Sequence, residues 1–317
     1  MKIVVLDGYN KNPGDLSWDP LLAMGETEIY DYTDDCDVLE RIKDAPIILT
    51  NKVRITREIM DKNPQLKYIG VTATGYDPVD CEAAKEKGII VTNVPVYGTD
   101  SVGQHAIAML LEVTNRVGLH NDSVHAGDWV RSREFCYWKA PLHELSGKVI
   151  AVIGYGRIGQ TTGRIANALG MKVLAVDQYH NPNVTDAEYV ELDEALARAD
   201  VISMHCALNA GNRGMINAET IAKMKPGVIF INCARGPLVV EKDLVDGLKS
   251  GKIGYACLDV ISKEPMEAGS VLLDAPNCII TPHIAGCSVE GRERLLKVAM
   301  DNVKAFLDGK PQNVVNA

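Results

Sequence analysis

The sequence predicts an α/β protein made of two doubly wound parallel-sheet domains, and three observations carry that expectation. Short unbroken apolar runs alternate with helix-like segments. The runs fall into two series. A glycine-rich turn opens the second series. The first series comprises residues 3–6, Ile47–Thr50, Tyr68–Val71 and 89–92. The second comprises Val149–Ile153, Lys172–Val176, 201–205, 228–231, 256–260 and 278–281. Strands buried on both faces need apolar side chains on both, so continuous runs rather than alternation mark parallel sheets covered by helices.

The first series begins at the N-terminus. Met1-Lys2-Ile3-Val4-Val5-Leu6-Asp7 has a strand pattern and is too short for a signal-peptide core. The two series are expected to meet near Thr99. Ser101 and Gln104 fit a capping box, and an apolar helix over 102–117 follows. Residues 121–145 break the rhythm. Trp129, Phe135, Tyr137 and Trp138 stand there among polar residues without a clean period. Two readings are open: a surface arm packed on its own chain, or an arm that reaches a partner subunit. The last helix is expected over 288–307, with Leu295, Leu296, Val298, Ala299, Val303 and Phe306 on one face. It is expected to fold back on the first unit.

Composition removes several function classes. The chain has 317 residues, a formal net charge of −9, 46% hydrophobic and 24% charged residues. That is long enough for two domains with their own cores. The negative balance argues against a nucleic-acid footprint and against a basic membrane-surface face. No apolar run reaches the length of a membrane span. The eight cysteines have no C-x-x-C spacing, so they read as thiols in a reducing compartment. The expected location is cytoplasmic, with no metal.

Gly154-Tyr155-Gly156-Arg157-Ile158-Gly159 is a G-x-G-x-x-G turn between a strand and a helix. The first glycine makes the turn, the second lets backbone approach a pyrophosphate, and the third lets helix pack on strand. The helix start then offers N–H groups to an anion. Asp177 ends the following strand, where a carboxylate can accept from both ribose hydroxyls and repel a 2′-phosphate. No arginine follows it closely, which favours NAD over NADP. The plainer alternative is a strand-to-helix turn with an Asp cap and no cofactor.

Three polar residues follow later strands at the sheet edge where such folds bind ligands. They are Arg235, Glu264 and His283. Each has a plain alternative: a solvated loop charge, a helix-start acid, and a hydrogen-bonded core histidine. Their joint occurrence after a dinucleotide motif points to a redox site.

These motifs resemble those of the D-isomer-specific 2-hydroxyacid dehydrogenases, over essentially the whole chain. The resemblance rests on Ala73-Thr74-Gly75-Tyr76-Asp77, on Asn93-Val94-Pro95-Val96-Tyr97 and on the glycine motif. It also rests on the run Asn232 to Val239 and on Thr281-Pro282-His283-Ile284-Ala285-Gly286. Within the family, Leu6-Asp7-Gly8 and Phe135-Cys136-Tyr137-Trp138 look closest to the glycerate dehydrogenase (hydroxypyruvate reductase) branch. The resemblance implies a flavodoxin-like substrate domain from residues 1–99 and 288–317. It implies a Rossmann NAD domain over 100–287, with a cleft between the two that closes to exclude water.

The resemblance also implies roles. Arg235 binds the substrate carboxylate and reacting oxygen, His283 is the general acid/base, and Glu264 holds the far side of its imidazole. Thr74 and Gly75 offer backbone N–H groups to the carboxylate. Arg157 and Ile158 meet the pyrophosphate, Asp259 the nicotinamide amide, Cys206 and Asn212 the adenosine side, and Cys233 also lines the cofactor site. Residues 121–145 make a homodimer, with Trp138 as the side chain that reaches the neighbour's pocket. Hydroxypyruvate or glyoxylate is the implied substrate, reduced to D-glycerate or glycolate. D-lactate or another 2-keto acid reductase is the alternative. An NAD-sensing corepressor is a reading of another class, disfavoured by the acidic chain. Lys52 is read equally as a pocket residue or as plain surface. Two departures stand out. Ala207 replaces the usual Pro, which puts the adenosine-side loop in question. Gly103 replaces the usual Ala, which is expected to soften its helix.

Overall fold

A computed structural model describes residues 1–317, which divide into two compact units. Unit 1 is Met1–Gly98 with Gly286–Ala317, and unit 2 is Thr99–Ala285.

Unit 1 carries five strands: β1 (Lys2–Val5), β2 (Glu26–Ile29), β3 (Ile47–Thr50), β4 (Tyr68–Val71) and β5 (Ile90–Thr92). Their order is β2-β1-β3-β4-β5, with every neighbouring pair parallel. That is the flavodoxin-like order. The β3 and β4 residues are all buried, which is why both read as unbroken apolar runs. The Val289–Leu307 helix belongs to this unit and packs Leu295, Leu296, Ala299 and Val303 among Ile3, Val5, Leu49 and Tyr68. Phe306 stacks at 4.8 Å on the Tyr68 ring. Ser288 caps the helix by accepting the Gly291 N–H at 3.0 Å.

Unit 2 carries seven parallel strands. They are β6 (Val149–Ile153), β7 (Lys172–Val176), β8 (Glu188–Tyr189), β9 (Val201–Met204), β10 (Val228–Asn232), β11 (Ile253–Leu258) and β12 (Cys278–Ile280). The order β12-β11-β10-β9-β6-β7-β8 is that of a doubly wound nucleotide-binding sheet with one further strand at each extreme. Strand order reverses between β6 and β9, so ligands of such a sheet are expected beside the ends of these two strands.

Three expectations need correction. β2 and β8 are absent from the predicted series. Both are edge strands with exposed or half-buried residues, so neither needs an apolar run. The first long helix spans Thr99–Asn115, so Ser101 lies in its first turn rather than at its cap. It ends where Arg116 turns into the left-handed region (φ 52°), and a second helix, Val117–His125, begins. Finally, Gly103 is a close-approach residue rather than a soft spot. A Cβ there would stand 2.7 Å from Thr161 Cγ2 on the Arg157–Ala168 helix.

A candidate active site at the strand ends of unit 2

The loops after β10, β11 and β12 carry the three polar residues, and the structure brings Glu264 and His283 together. His283 Nδ1 lies 2.6 Å from Glu264 Oε2. The other carboxylate oxygen, Oε1, accepts the Ile261 N–H at 3.1 Å. Glu264 is therefore fixed at one oxygen and presents the second to the ring. A carboxylate only accepts, so Nδ1 carries the proton on this line.

The backbone around His283 is held on both sides. His283 itself adopts φ 55°, a conformation few non-glycine residues take. Its N–H donates to Asp259 O at 2.8 Å. The next two N–H groups, of Ile284 and Ala285, each donate at 2.9 Å to the Asp259 carboxylate. Thr281 donates its hydroxyl to the same carboxylate at 2.6 Å. Asp259 is 2% exposed. Sequence resemblance gives it to the nicotinamide amide; here three of its four lone-pair positions already hold the histidine loop.

The Arg235 loop is built by Asn232. Its Oδ1 accepts the Ala234 N–H at 3.0 Å, and its Nδ2 donates to Arg235 O at 3.0 Å. This is a side chain standing in for a turn. The half-buried Arg235 side chain spends one Nη1 hydrogen bond on Ala234 O at 2.8 Å, which leaves most of its donor fork. Gly236 then passes directly against the Glu264 loop. A Cβ at Gly236 would fall 1.9 Å from the Ile261 carbonyl carbon. The neighbouring Ser262 N–H is accepted by Glu241 at 2.6 Å. The guanidinium loop and the carboxylate loop are thus locked by a backbone contact that only glycine allows.

The nucleotide turn has the geometry its sequence implies. Gly154 has φ 93°, and a Cβ there would lie 2.4 Å from Cys206 N. At Gly159 it would lie 2.2 Å from Gly154 O. At Gly156, by contrast, a Cβ would meet nothing within 4 Å. The two closed positions make the turn and the packing, and the open one leaves room beside backbone. Arg157 and Ile158 start the helix, which opens on Gly156 with no side chain capping it, so its first N–H groups are available to an anion. Asp177 accepts the Tyr155 N–H at 2.7 Å and the Tyr179 N–H at 3.1 Å.

Cys206 and Asn212 lie in one loop after β9. Asn212 donates to Ala207 O at 2.7 Å and accepts the Asn209 N–H at 2.8 Å. The loop is therefore closed by Asn212 without the usual proline. Burial pushes the Cys206 and Cys233 thiols up. His205, beside them, has its Nε2 2.8 Å from Ser203 Oγ, while its Nδ1 is buried with no partner in the protein. Burial lowers its pKa to about 4. These residues fit a dinucleotide: open backbone at the second glycine, an uncapped helix start, a carboxylate at the next strand end and an orphaned buried nitrogen.

In unit 1, Thr74 and Gly75 follow β4. Thr74 donates its hydroxyl to Val94 O at 2.9 Å, and its carbonyl accepts from Asn93 at 2.7 Å. The loop is anchored by these groups and not by the Thr74 or Gly75 N–H. Lys52 is exposed, and its N–H donates to Asp7 at 2.6 Å.

The segment after Val117–His125 is ordered but not covered. Asp128 accepts from Ser123 at 2.7 Å and pairs with Lys139 at 2.6 Å, and these partners, with Arg131, hold its carboxyl well below the usual range. Trp129 donates to Phe135 O at 3.1 Å. Yet Phe135 is 86% exposed, Val130 89% and Trp138 70%. The arm meets its own chain through polar contacts, Tyr137 with Ser123 at 3.0 Å and the Lys139 N–H to His120 at 3.1 Å, while these apolar side chains stay exposed.

Asn232, Gly236 and Glu241 act only through backbone partners, and residue type at a distance gave no sign of their roles.

Comparison with known proteins follows the same lines. Residues 107–285 match the family model described as "D-isomer specific 2-hydroxyacid dehydrogenase, NAD binding domain". A hydroxypyruvate reductase of Blautia hydrogenotrophica is 55% identical, with 100% of each chain covered. A glycerate dehydrogenase of Methylorubrum extorquens is 41% identical over 89% of this chain and 88% of its own. Among solved structures, D-lactate dehydrogenase from Aquifex aeolicus, complexed with NAD and lactic acid, aligns with a TM-score of 0.85 at 30% identity. That alignment covers 100% of this chain and 99% of the other. No helix is long and apolar enough to cross a membrane.

Proposed function

The chain belongs to the D-isomer-specific 2-hydroxyacid dehydrogenases and is an NAD-dependent oxidoreductase of 2-hydroxy acids, and we propose that its substrate pair is hydroxypyruvate and D-glycerate, with glyoxylate as a second keto acid. The observation that carries the chemistry is the 2.6 Å contact between His283 Nδ1 and Glu264 Oε2. The choice of substrate is supported by the relative that shares 55% of residues over the full length.

Unit 2 is proposed as the NAD-binding domain and unit 1 as the substrate domain. Arg157 and Ile158 offer N–H groups to the pyrophosphate, and Asp177 takes the ribose hydroxyls and favours NAD over NADP. Cys206, Asn212 and Cys233 line the rest, and Asp259 has one lone pair left for the amide. The bound nicotinamide supplies the hydride in reduction and accepts it in oxidation. Arg235 binds the carboxylate and the keto oxygen through its planar fork. It thereby draws electron density onto the oxygen. His283 Nε2 delivers a proton to that oxygen as the carbon is reduced, and takes it back in the reverse direction. Glu264 keeps the ring in the tautomer this requires and stabilises the protonated imidazole. The Thr74 and Gly75 N–H groups are proposed as further donors to the carboxylate.

The uncovered arm supports a homodimer, with Trp138 contributing to the neighbouring subunit's pocket. Eight cysteines, none of them in a disulfide, support a cytoplasmic home.

The test is turnover. Purified protein is mixed with NADH and a panel of keto acids (hydroxypyruvate, glyoxylate, pyruvate and a branched-chain acid), and nicotinamide absorbance is followed. Hydroxypyruvate is expected to give the highest kcat/KM. A preference for pyruvate would move the reading to D-lactate, and no turnover on any keto acid would sink it.

A further inference from the structure

Behind the catalytic histidine, the Asp259 carboxylate gathers the loop, and one more side chain reaches this cluster from outside the loop. His105 sits in the second turn of the Thr99–Asn115 helix. Its Nε2 is 3.0 Å from Thr281 Oγ1 and 3.5 Å from Asp259 Oδ1. All of these residues belong to unit 2.

Proton counting fixes the direction of the chain. The Thr281 hydroxyl has one proton, and the 2.6 Å contact places it on the line to Asp259 Oδ1. Met109 Sδ, one turn along the helix from His105, is 4.0 Å from Thr281 Oγ1, so it covers the hydroxyl without competing for the proton. Thr281 Oγ1 can then only accept from His105. His105 Nε2 must carry a hydrogen, whatever the state of Nδ1. The order is His105 Nε2–H to Thr281 Oγ1–H to Asp259 Oδ1, with Oδ1 and Oδ2 also accepting the Ile284 and Ala285 N–H groups.

We propose that His105 is a positioning residue for the acid/base His283: its Nε2–H orients the Thr281 hydroxyl, which in turn fixes the Asp259 carboxylate that holds the His283 loop. The proposal rests on His283 being the acid/base, as argued above. The loop needs such support because His283 holds φ 55°, and a backbone conformation of this kind persists only where its surroundings over-determine it. Three donors already converge on Asp259. His105 reaches Asp259 through one of them, the Thr281 hydroxyl, and it alone comes from a separate element. It ties the histidine loop to a helix that begins at the unit boundary. Without its donor, the Thr281 hydroxyl is free to turn its proton elsewhere, and Oδ1 loses its shortest bond.

The test uses the full chain and four variants. His105→Phe keeps the ring and removes the donor. His105→Gln restores an N–H near the Nε2 position. Thr281→Val breaks the same link from the other end, and the double variant H105F/T281V closes the cycle. H105F is expected to lower kcat by roughly tenfold or more, the scale of a small misplacement of a catalytic group. The KM for NADH, and NADH binding read by fluorescence, are expected to change far less than kcat, since the link reaches NADH only through the one Asp259 lone pair left for the amide. H105Q is expected to recover most of the rate. The double variant is expected to be no slower than T281V alone, because both remove one interaction. Wild-type kcat in H105F, equal damage in H105Q and H105F, or additive losses in the double variant would each overturn the proposal. If H105F folds poorly, T281V and H105Q decide alone. His283→Ala serves as the control for the underlying reading: an active H283A overturns the acid/base assignment itself, whereas an inactive H283A beside a fully active H105F overturns only the role of His105.

Discussion

The proposed catalytic edge of unit 2 and the arm that follows Val117–His125 meet their needs in opposite ways. At the edge, polar groups are matched within the chain almost to the last lone pair: Asn232 builds one loop, Glu264 is bound at both oxygens, and Asp259 collects three donors. The arm also satisfies its polar groups, through Asp128, Ser123 and Lys139. What it leaves unsatisfied is apolar surface, at Val130, Phe135 and Trp138. Chemistry that depends on angles is completed locally. Large apolar side chains left exposed on one segment are the kind of surface that a partner chain would cover.

Breaking the edge should cost most. His283→Ala is expected to lower kcat by about 10²–10⁴ while the protein stays folded, measured by steady-state NADH oxidation and circular dichroism. Gly236→Ala is expected to cost about a hundredfold in kcat. The added Cβ would stand 1.9 Å from the Ile261 carbonyl carbon, so the Arg235 and Glu264 loops must separate. A crystal structure of the variant would show that separation, and an unchanged kcat would mean the two loops need not touch. Arm substitutions should act differently. Phe135→Asp combined with Val130→Asp is expected to yield monomers in sedimentation, with intact NADH binding. A variant that remains dimeric would show that the apolar arm is not the interface.

The smallest effect lies beside the glycine turn. Burial depresses the folded-state pKa of His205 to about 4, against roughly 6.5 in the unfolded chain. Below pH 6.5 the unfolded chain therefore binds the additional proton. Stability tied to this group is complete above about pH 6.5 and is lost as pH falls toward 4, by at most about 3 kcal/mol. His205→Gln is expected to flatten denaturation midpoints across that window. An unchanged slope would mean that other groups carry the acid sensitivity.

How much of this was legible in the sequence follows the same division. Core strands such as β3 and β4 are visible because burial on both faces leaves no room for polar residues. The edge strands β2 and β8 escape because one flank of each is unpaired and their side chains are only partly covered. Arg235, Glu264 and His283 stand out as polar residues after apolar runs. Asn232, Glu241 and His105 do not, since their work is done on backbone or through another side chain. The arm is visible as an aromatic-rich anomaly, but sequence could not show that Phe135 and Trp138 are exposed while Tyr137 is half-buried.

The approach of the Thr99–Asn115 helix to Thr161 matters for anyone engineering thermostability. Replacing a mid-helix glycine by alanine is a routine gain of about 1 kcal/mol, which makes Gly103 an obvious target. Here the new methyl would press on Thr161 Cγ2 at 2.7 Å. Gly103→Ala alone is expected to lower the melting temperature, and Gly103→Ala with Thr161→Ser to recover it. The two positions behave as a single design unit, so a swap at one must carry the other with it.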